Sequence, residues 1–387
     1  MSSGSTRIVR QPYGYAYAER SRLKETYGGP DGQVFVECMR IRPEIGDSDA
    51  VILFSHPIGG GSFLPLVTAL ARAGRHVVYC NTRYRGNDTA LILEKCVLDL
   101  GACVADLKTR FGYKTVILGG WSGGGSLSLF YQEQAERPTI THTPAGDPVD
   151  LVGAGLQPAD GVMLLAAHIS RSVTLTEWLD PSILDEDRPF DRDPALDIYA
   201  PNCPHQPPYD EAFATVFRHA QLARNRRITA RVRETLTALK ARDPDMERPF
   251  VVYGTMCDVR WTDPAQDPSD RRPHTCYLGD PWIANDGPVG LARFTTLRSW
   301  LSQWSYDESR ANGVLNAANI SCPALVISNT ADLACTPSHA RRLFDALGCA
   351  DKRYVEIKGA DHYYIERPDL LPQAVAAVRG WLEERGF

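Results

Sequence analysis

Apolar positions fall along this chain in two alternating rhythms. Short runs in which every residue, or every second one, is apolar predict strands: QVFVECMRI (33–41), AVILFS (50–55), HVVYCN (76–81), TVILGG (115–120) and GVMLLAAH (161–168). Between them lie stretches with apolar residues three or four apart, which predict helices. These are FLPLVTALARAG, ALILEKCVLDLGACVADLKTRFG (90–112, ending on a glycine) and SLSLFYQEQAE (126–136). The rhythm returns near the C-terminus with ALVISN (324–329), HARRLFDALG (339–348), RYVEI (353–357) and a helix from about Leu371 to Arg385. Strands apolar on both faces, alternating with helices, predict an α/β fold: a mostly parallel central sheet covered by helices.

The middle of the chain breaks this rhythm. From about Ser170 to Pro288 it is rich in proline and charge, with a long helical stretch at 210–243. The expected division is therefore a first core part with an N-terminal extension (1–170), an inserted and mainly helical cap (171–288), and a second core part (289–387) opening with GPVGLARFTTLRSWLSQWS. No internal repeat or low-complexity tract is present.

Composition narrows the function classes. A net charge of −5 gives no electrostatic reason to expect nucleic acid or an anionic membrane as partner. No apolar run approaches the ~20 residues of a membrane span, and the N-terminus lacks the apolar stretch of a secretory signal. The ten cysteines are scattered singly, with no CxxC pair and no short His/Cys spacing, so the expectation is reduced thiols packed as small hydrophobes in a cytoplasmic protein, without structural zinc.

One glycine-rich stretch carries chemistry. Gly120-Trp121-Ser122-Gly123-Gly124 fits G-x-S-x-G and stands between a predicted strand and a predicted helix. In that setting the serine occupies a tight turn that lifts its hydroxyl above the sheet edge, and the flanking glycines allow the two backbones to meet. The helix start behind it supplies a positive field for an oxyanion.

With these residues the chain resembles the α/β-hydrolase family. HPIGGGS (56–62) follows a strand where the family has its oxyanion loop, although Pro57 replaces the usual glycine. NTRYRGND (81–88) stands where the family has an arginine-glycine loop. Asp332 lies just past ALVISN and His362 just past RYVEI, which gives the chain order Ser122, Asp332, His362 expected of the fold. The resemblance covers about 45–170 and 305–387. It implies that Ser122 is the nucleophile, His362 its base and Asp332 the acid that orients the ring. The oxyanion would be held by the N–H of Ile58 or Gly59 together with that of Gly123. Asp361, Asp351 and Glu356 compete for the acid's role. Asp361 would struggle to turn onto the adjacent ring; the other two fall in a loop and a strand.

His56, Trp121 and His168 are candidate substrate-binding residues, with a loop-bracing role favoured for His56 and a structural one for His168. The basic run RHAQLARNRRITARVR (218–233) hints at an anionic substrate such as a coenzyme A thioester, against the plainer reading of a salt-bridged helix face. Asp263, Asp267 and Asp270 are interrupted by prolines and lack calcium-loop spacing.

The expected activity is hydrolysis of a carboxylic ester or lactone of moderate size and low polarity through an acyl-enzyme. The alternatives are a thioesterase or amidase using the same triad, and a non-catalytic ligand-binding relative. No cofactor or metal is implied; the partner expected is a small-molecule ester or lactone, and a homodimer is allowed.

Overall fold

The computed structural model describes residues 6–19 and 32–387. In chain order the first half gives β1 (Ile8–Ala18), β2 (Gln33–Pro43), β3 (Ala50–Ser55), α1 (Pro65–Arg72), β4 (Val77–Cys80), α2 (Leu93–Arg110), β5 (Thr115–Ser122), α3 (Gly123–Glu136) and β6 (Gly161–Ala167). The second half gives α4 (Arg171–Glu177), α5 (Glu211–Lys240), β7 (Pro249–Val251), α6 (Val259–Thr262), α7 (Pro281–Asp286), β8 (Phe294–Thr296), α8 (Leu297–Ser299), a π-turn over Trp300–Trp304, α9 (Gly313–Ala317), β9 (Ala324–Asn329), α10 (Pro337–Ala346), β10 (Lys352–Ile357) and α11 (Leu371–Glu383).

Eight strands form one sheet in the order β1-β2-β4-β3-β5-β6-β9-β10. From β4 to β10 all neighbours are parallel, whereas β2 runs antiparallel to β4 and β1 antiparallel to β2. The period of two explains how the sheet is sandwiched. In β3, Val51 and Leu53 face one apolar layer with α2 and α3, while Ile52 and Phe54 face the other with α1 and α11. β1 escapes the pattern-based reading because Arg10, Gln11, Pro12 and Gly14 interrupt its alternation.

Between β6 and β9 the chain leaves the sheet. α5 starts where the Asp210 carboxylate accepts the Phe213 N–H at 2.7 Å. It buries Phe217, Gln221, Arg224, Ile228, Val232 and Leu236, a stripe at helical spacing. Leu175, Trp178, Ile228, Val232, Leu297, Trp300, Leu301 and Trp304 share an apolar cluster separate from the two sheet layers. The rings of Trp300 and Trp304 stack at 5.1 Å. The expected return to the core at residue 289 therefore moves. Segment 289–304 packs with the inserted region and only touches the core edge, where Ser299 donates to the Leu91 carbonyl and Ser302 to Glu94. Regular core structure resumes at α9, whose Ala317 joins the layer of α3. Among the described residues no helix is long and apolar enough to cross a membrane.

Candidate active site

Ser122 ends β5 and is the last residue before α3, at φ 53° and ψ −130°. That conformation is costly for a residue with a Cβ and persists only where the surroundings impose it. Here the glycines around it supply the room. A Cβ on Gly120 would lie 2.7 Å from Gly125 Cα, one on Gly124 would lie 2.0 Å from the Ser55 carbonyl oxygen, and one on Gly125 would lie 2.4 Å from Ala167 Cβ. The bareness of GGWSGGGS thus reflects three backbones, β5, α3 and the end of β3, meeting at one point. The Ser122 carbonyl accepts the His168 N–H at 2.9 Å, fixing the bend to the neighbouring strand end.

The strand order and this bend decide the fold. That arrangement is the α/β-hydrolase fold. No family model and no curated protein matches it. Among solved structures the chain is similar to Est1E from Butyrivibrio proteoclasticus, with 12% identity over 92% of this chain and 96% of that one and a TM-score of 0.48. It is also similar to the esterase domain of a Rhodothermus marinus protein, with 14% identity, 97% and 98% coverage and a TM-score of 0.46. A monoacylglycerol lipase of Paleococcus ferrophilus matches with 16% identity, 96% and 98% coverage and a TM-score of 0.43. Likenesses this distant say nothing of activity or substrate; the fold rests on the chain's own sheet order and elbow.

Asp332 follows β9 and His362 follows β10, two strands adjacent in the sheet, so their loops share one edge. Asp332 Oδ2 lies 2.7 Å from His362 Nδ1, and its Oδ1 accepts the N–H groups of Ala334 at 2.7 Å and Cys335 at 2.8 Å. The carboxylate is wholly buried, and Ser122 and His362 are exposed by only 6% and 5%. Asp361 is occupied otherwise: its two oxygens accept the N–H groups of Tyr363, Ile365, Glu366 and Arg367, capping the turn after the histidine. Asp351 pairs with Arg385, and Glu356 is exposed on β10.

The Ser122 hydroxyl makes no hydrogen bond to His362 in this structure. Its neighbour is the Cys335 thiol, which sequence reasoning passed over. Burial, with Asp332 close by, pushes that thiol well above the ordinary cysteine value, so it stays protonated. A catalytic serine–histidine contact is often long before substrate arrives.

In the loop expected to meet the oxyanion, Gly59 is not the free donor. The Gly59 N–H is already used: it donates to the His56 carbonyl at 2.8 Å, closing the turn that Pro57 begins. Gly60 likewise donates to Asn81 Oδ1 at 2.9 Å. The Ile58 N–H makes only a long 3.3 Å contact with His56 Nδ1. Gly123, at the first turn of α3, abuts the same ring; a Cβ there would lie 2.9 Å from His56 Nε2. His56 therefore braces its loop and roofs Gly123. Burial first, then Arg171 and His362, hold it down at about 3, so it is neutral at ordinary pH.

His168 is buried with its ring edge-on to Trp178 at 5.8 Å and its Nδ1 without a partner. Burial, with His362, His56, His339 and Arg171 nearby, holds it well below the ordinary histidine value. The Trp121 ring packs tilted against His362 at 4.6 Å between ring centres and donates its indole N–H to the His362 carbonyl at 3.2 Å, so it positions the histidine loop.

A cavity of about 850 Å³ opens beside His362 and Tyr363. Tyr277, Leu333 and Ile365 line it, and Arg272 and Lys358 also border it; Ser122 and Trp121 are not among its lining residues. The inserted region is bonded to the loop that carries Asp332: Trp261 donates to the Leu333 carbonyl at 2.8 Å, and Thr330 donates to Asp270 at 2.5 Å. The acidic trio of the sequence is thus bonded structure, with Asp267 accepting from Ser338 at 2.6 Å and Asp263 from the Tyr209 N–H at 2.9 Å. The basic run on α5 is paired throughout, Arg218 with Asp258, Arg224 and Arg227 with Glu186, Arg226 with Asp307, Arg231 with Asp187 and Arg233 with Glu308.

Proposed function

We propose that this protein is a serine hydrolase that cleaves a carboxylic ester, open-chain or lactone, of moderate size and low polarity. The observation that carries the reading is a serine on a strained, glycine-walled elbow, next in the chain to a tryptophan packed on His362, whose Nδ1 lies 2.7 Å from a buried carboxylate. Ser122 attacks the ester carbonyl while His362 Nε2 takes its proton. Asp332 holds the ring in the tautomer with Nδ1–H and stabilises the imidazolium. The developing oxyanion is met by the Gly123 N–H and by the Ile58 N–H, which exchanges its long contact to His56 for it; such donors supply about 3 kcal/mol each. His362 then protonates the departing alkoxide, and water, activated by the same ring, releases the acid from the acyl-enzyme.

Burial of Ser122, Asp332 and His362 supports chemistry shielded from bulk water. The thioester alternative rested on the arginines of α5, and with each of them in an ion pair nothing favours it. Turnover of nitrophenyl esters tests the reading: Ser122→Ala is expected to lower kcat about 10³-fold or more. A variant that keeps most of its activity overturns it.

A further inference from the structure

Cys38, Cys80 and Cys103 come together in the core although they lie far apart in the chain, on β2, at the end of β4 and in the middle of α2. Their sulfur atoms all fall within 4.8 Å of one another, and the three residues are buried. Cys38 and Cys80 face each other directly across the antiparallel β2–β4 pair. We propose that these three thiols form a binding site for a soft divalent cation, zinc being the physiological member of that class.

The donor chemistry fits. Zinc takes thiolate sulfur at about 2.3 Å, which spaces sulfurs in a tetrahedral shell about 3.8 Å apart. Thiols already within 4.8 Å on three rigid elements reach that spacing with small side-chain movements. A fourth donor stands ready: the Tyr13 hydroxyl is buried without a hydrogen-bond partner and lies against Cys38. The Tyr15 hydroxyl, 3.5 Å from Cys80 Sγ, donates to the Asp99 carbonyl at 2.7 Å and so anchors the shell around the sulfurs. Three thiolates and a divalent ion carry one net negative charge, and the Arg110 guanidinium sits 5.7 Å from the Tyr13 ring centre to offset it. Binding displaces three thiol protons to solvent. A cavity of about 650 Å³ lies over the β1–α2 seam, bordered by Tyr15, Gly101, Ala102 and Arg110, and Tyr15 is the residue it shares with the surroundings of Cys80. Short cysteine spacing, the usual sequence sign of zinc, is missing because each ligand comes from a different element.

The test uses the full chain carrying Cys335→Ala, which removes the other cysteine-containing trio, Asp332–Cys335–His362. Cadmium titration should give a thiolate-to-cadmium ultraviolet band saturating at about one ion per chain, with a Kd of about micromolar or tighter. Elemental analysis of protein isolated without chelators should find about one zinc per chain. Cys38→Ser or Cys103→Ser should abolish both signals, whereas Cys96→Ala, a buried cysteine of the same helix outside the trio, should keep them. If the serine variants fail to fold, the cadmium band of the parent chain decides by itself. Absence of the band overturns the proposal, whether all thiols titrate as free, meaning sulfur packed as hydrophobe, or two are missing, meaning a Cys38–Cys80 disulfide.

Discussion

Replacing either of two neighbouring carboxylates by its amide separates the acid that orients His362 from one that only shapes its loop. In Asp332→Asn the side-chain oxygen stays with the N–H groups of Ala334 and Cys335, which already hold Oδ1 at 2.7 and 2.8 Å. The new NH₂ then faces His362 Nδ1 across the former 2.7 Å contact and donates to it. The ring's proton is driven to Nε2, where the ring can no longer accept the serine proton. A wrong tautomer with intact geometry costs about 10⁴-fold in kcat, about 5.5 kcal/mol of transition-state stabilisation. Asp361→Asn is different in kind. Its oxygen keeps the bonds from Tyr363 and Ile365, and only those from Glu366 at 3.0 Å and Arg367 at 3.2 Å are lost. That is worth roughly 1–2 kcal/mol of stability and less than tenfold in kcat. The assay is kcat on a nitrophenyl ester beside a urea midpoint for each variant. Asp361→Asn being the more damaging to kcat, or Asp332→Asn staying within tenfold of the parent, refutes the reasoning.

Three further outcomes follow from the same geometry. Gly124→Ala puts a Cβ 2.0 Å from the Ser55 carbonyl, so α3 must shift by about 1 Å; folding should weaken by about 1–3 kcal/mol and kcat fall about 10²-fold, read by urea melts and ester turnover. Because folded His56 titrates near 3 and an unfolded histidine near 6.5, the unfolded chain binds the extra proton between those values; stability should be flat above pH 6.5 and fall below it by about 1.4 kcal/mol per pH unit for this residue, an increment His56→Asn removes from urea midpoints compared at pH 7 and 5. Arg224→Ala strips the buried guanidinium that donates to the Asp180, Tyr253 and Gly254 carbonyls and pairs with Glu186, and should cost about 3–5 kcal/mol in a thermal or urea melt.

The parallel strands were legible because burial on both faces writes them as unbroken apolar runs, and the elbow because backbone crowding at Gly120, Gly124 and Gly125 excludes every side chain. Asp332 and His362 could be picked out by their places just past two strands. What stayed hidden depends on tertiary contact. β1 shows little alternation, and its place at the sheet edge comes from pairing with β2. Trp300 and Trp304 read as a helix returning to the core, yet α5 and Trp178 offer them a better-matched apolar surface. The Gly59 N–H looked free until the turn closed on the His56 carbonyl, since a glycine run advertises flexibility and says nothing of where each N–H goes. Cys335 beside Ser122, and the convergence of Cys38, Cys80 and Cys103, have no local signature, because their meaning arises only when separate elements meet.

Covalent capture tests the central claim most directly. The intact chain, treated with a fluorophosphonate and digested for mass spectrometry, should carry one phosphonyl group per chain on Ser122, and Ser122→Ala should carry none. A chain that stays unlabelled while folded, or that takes the label on another residue, contradicts the account.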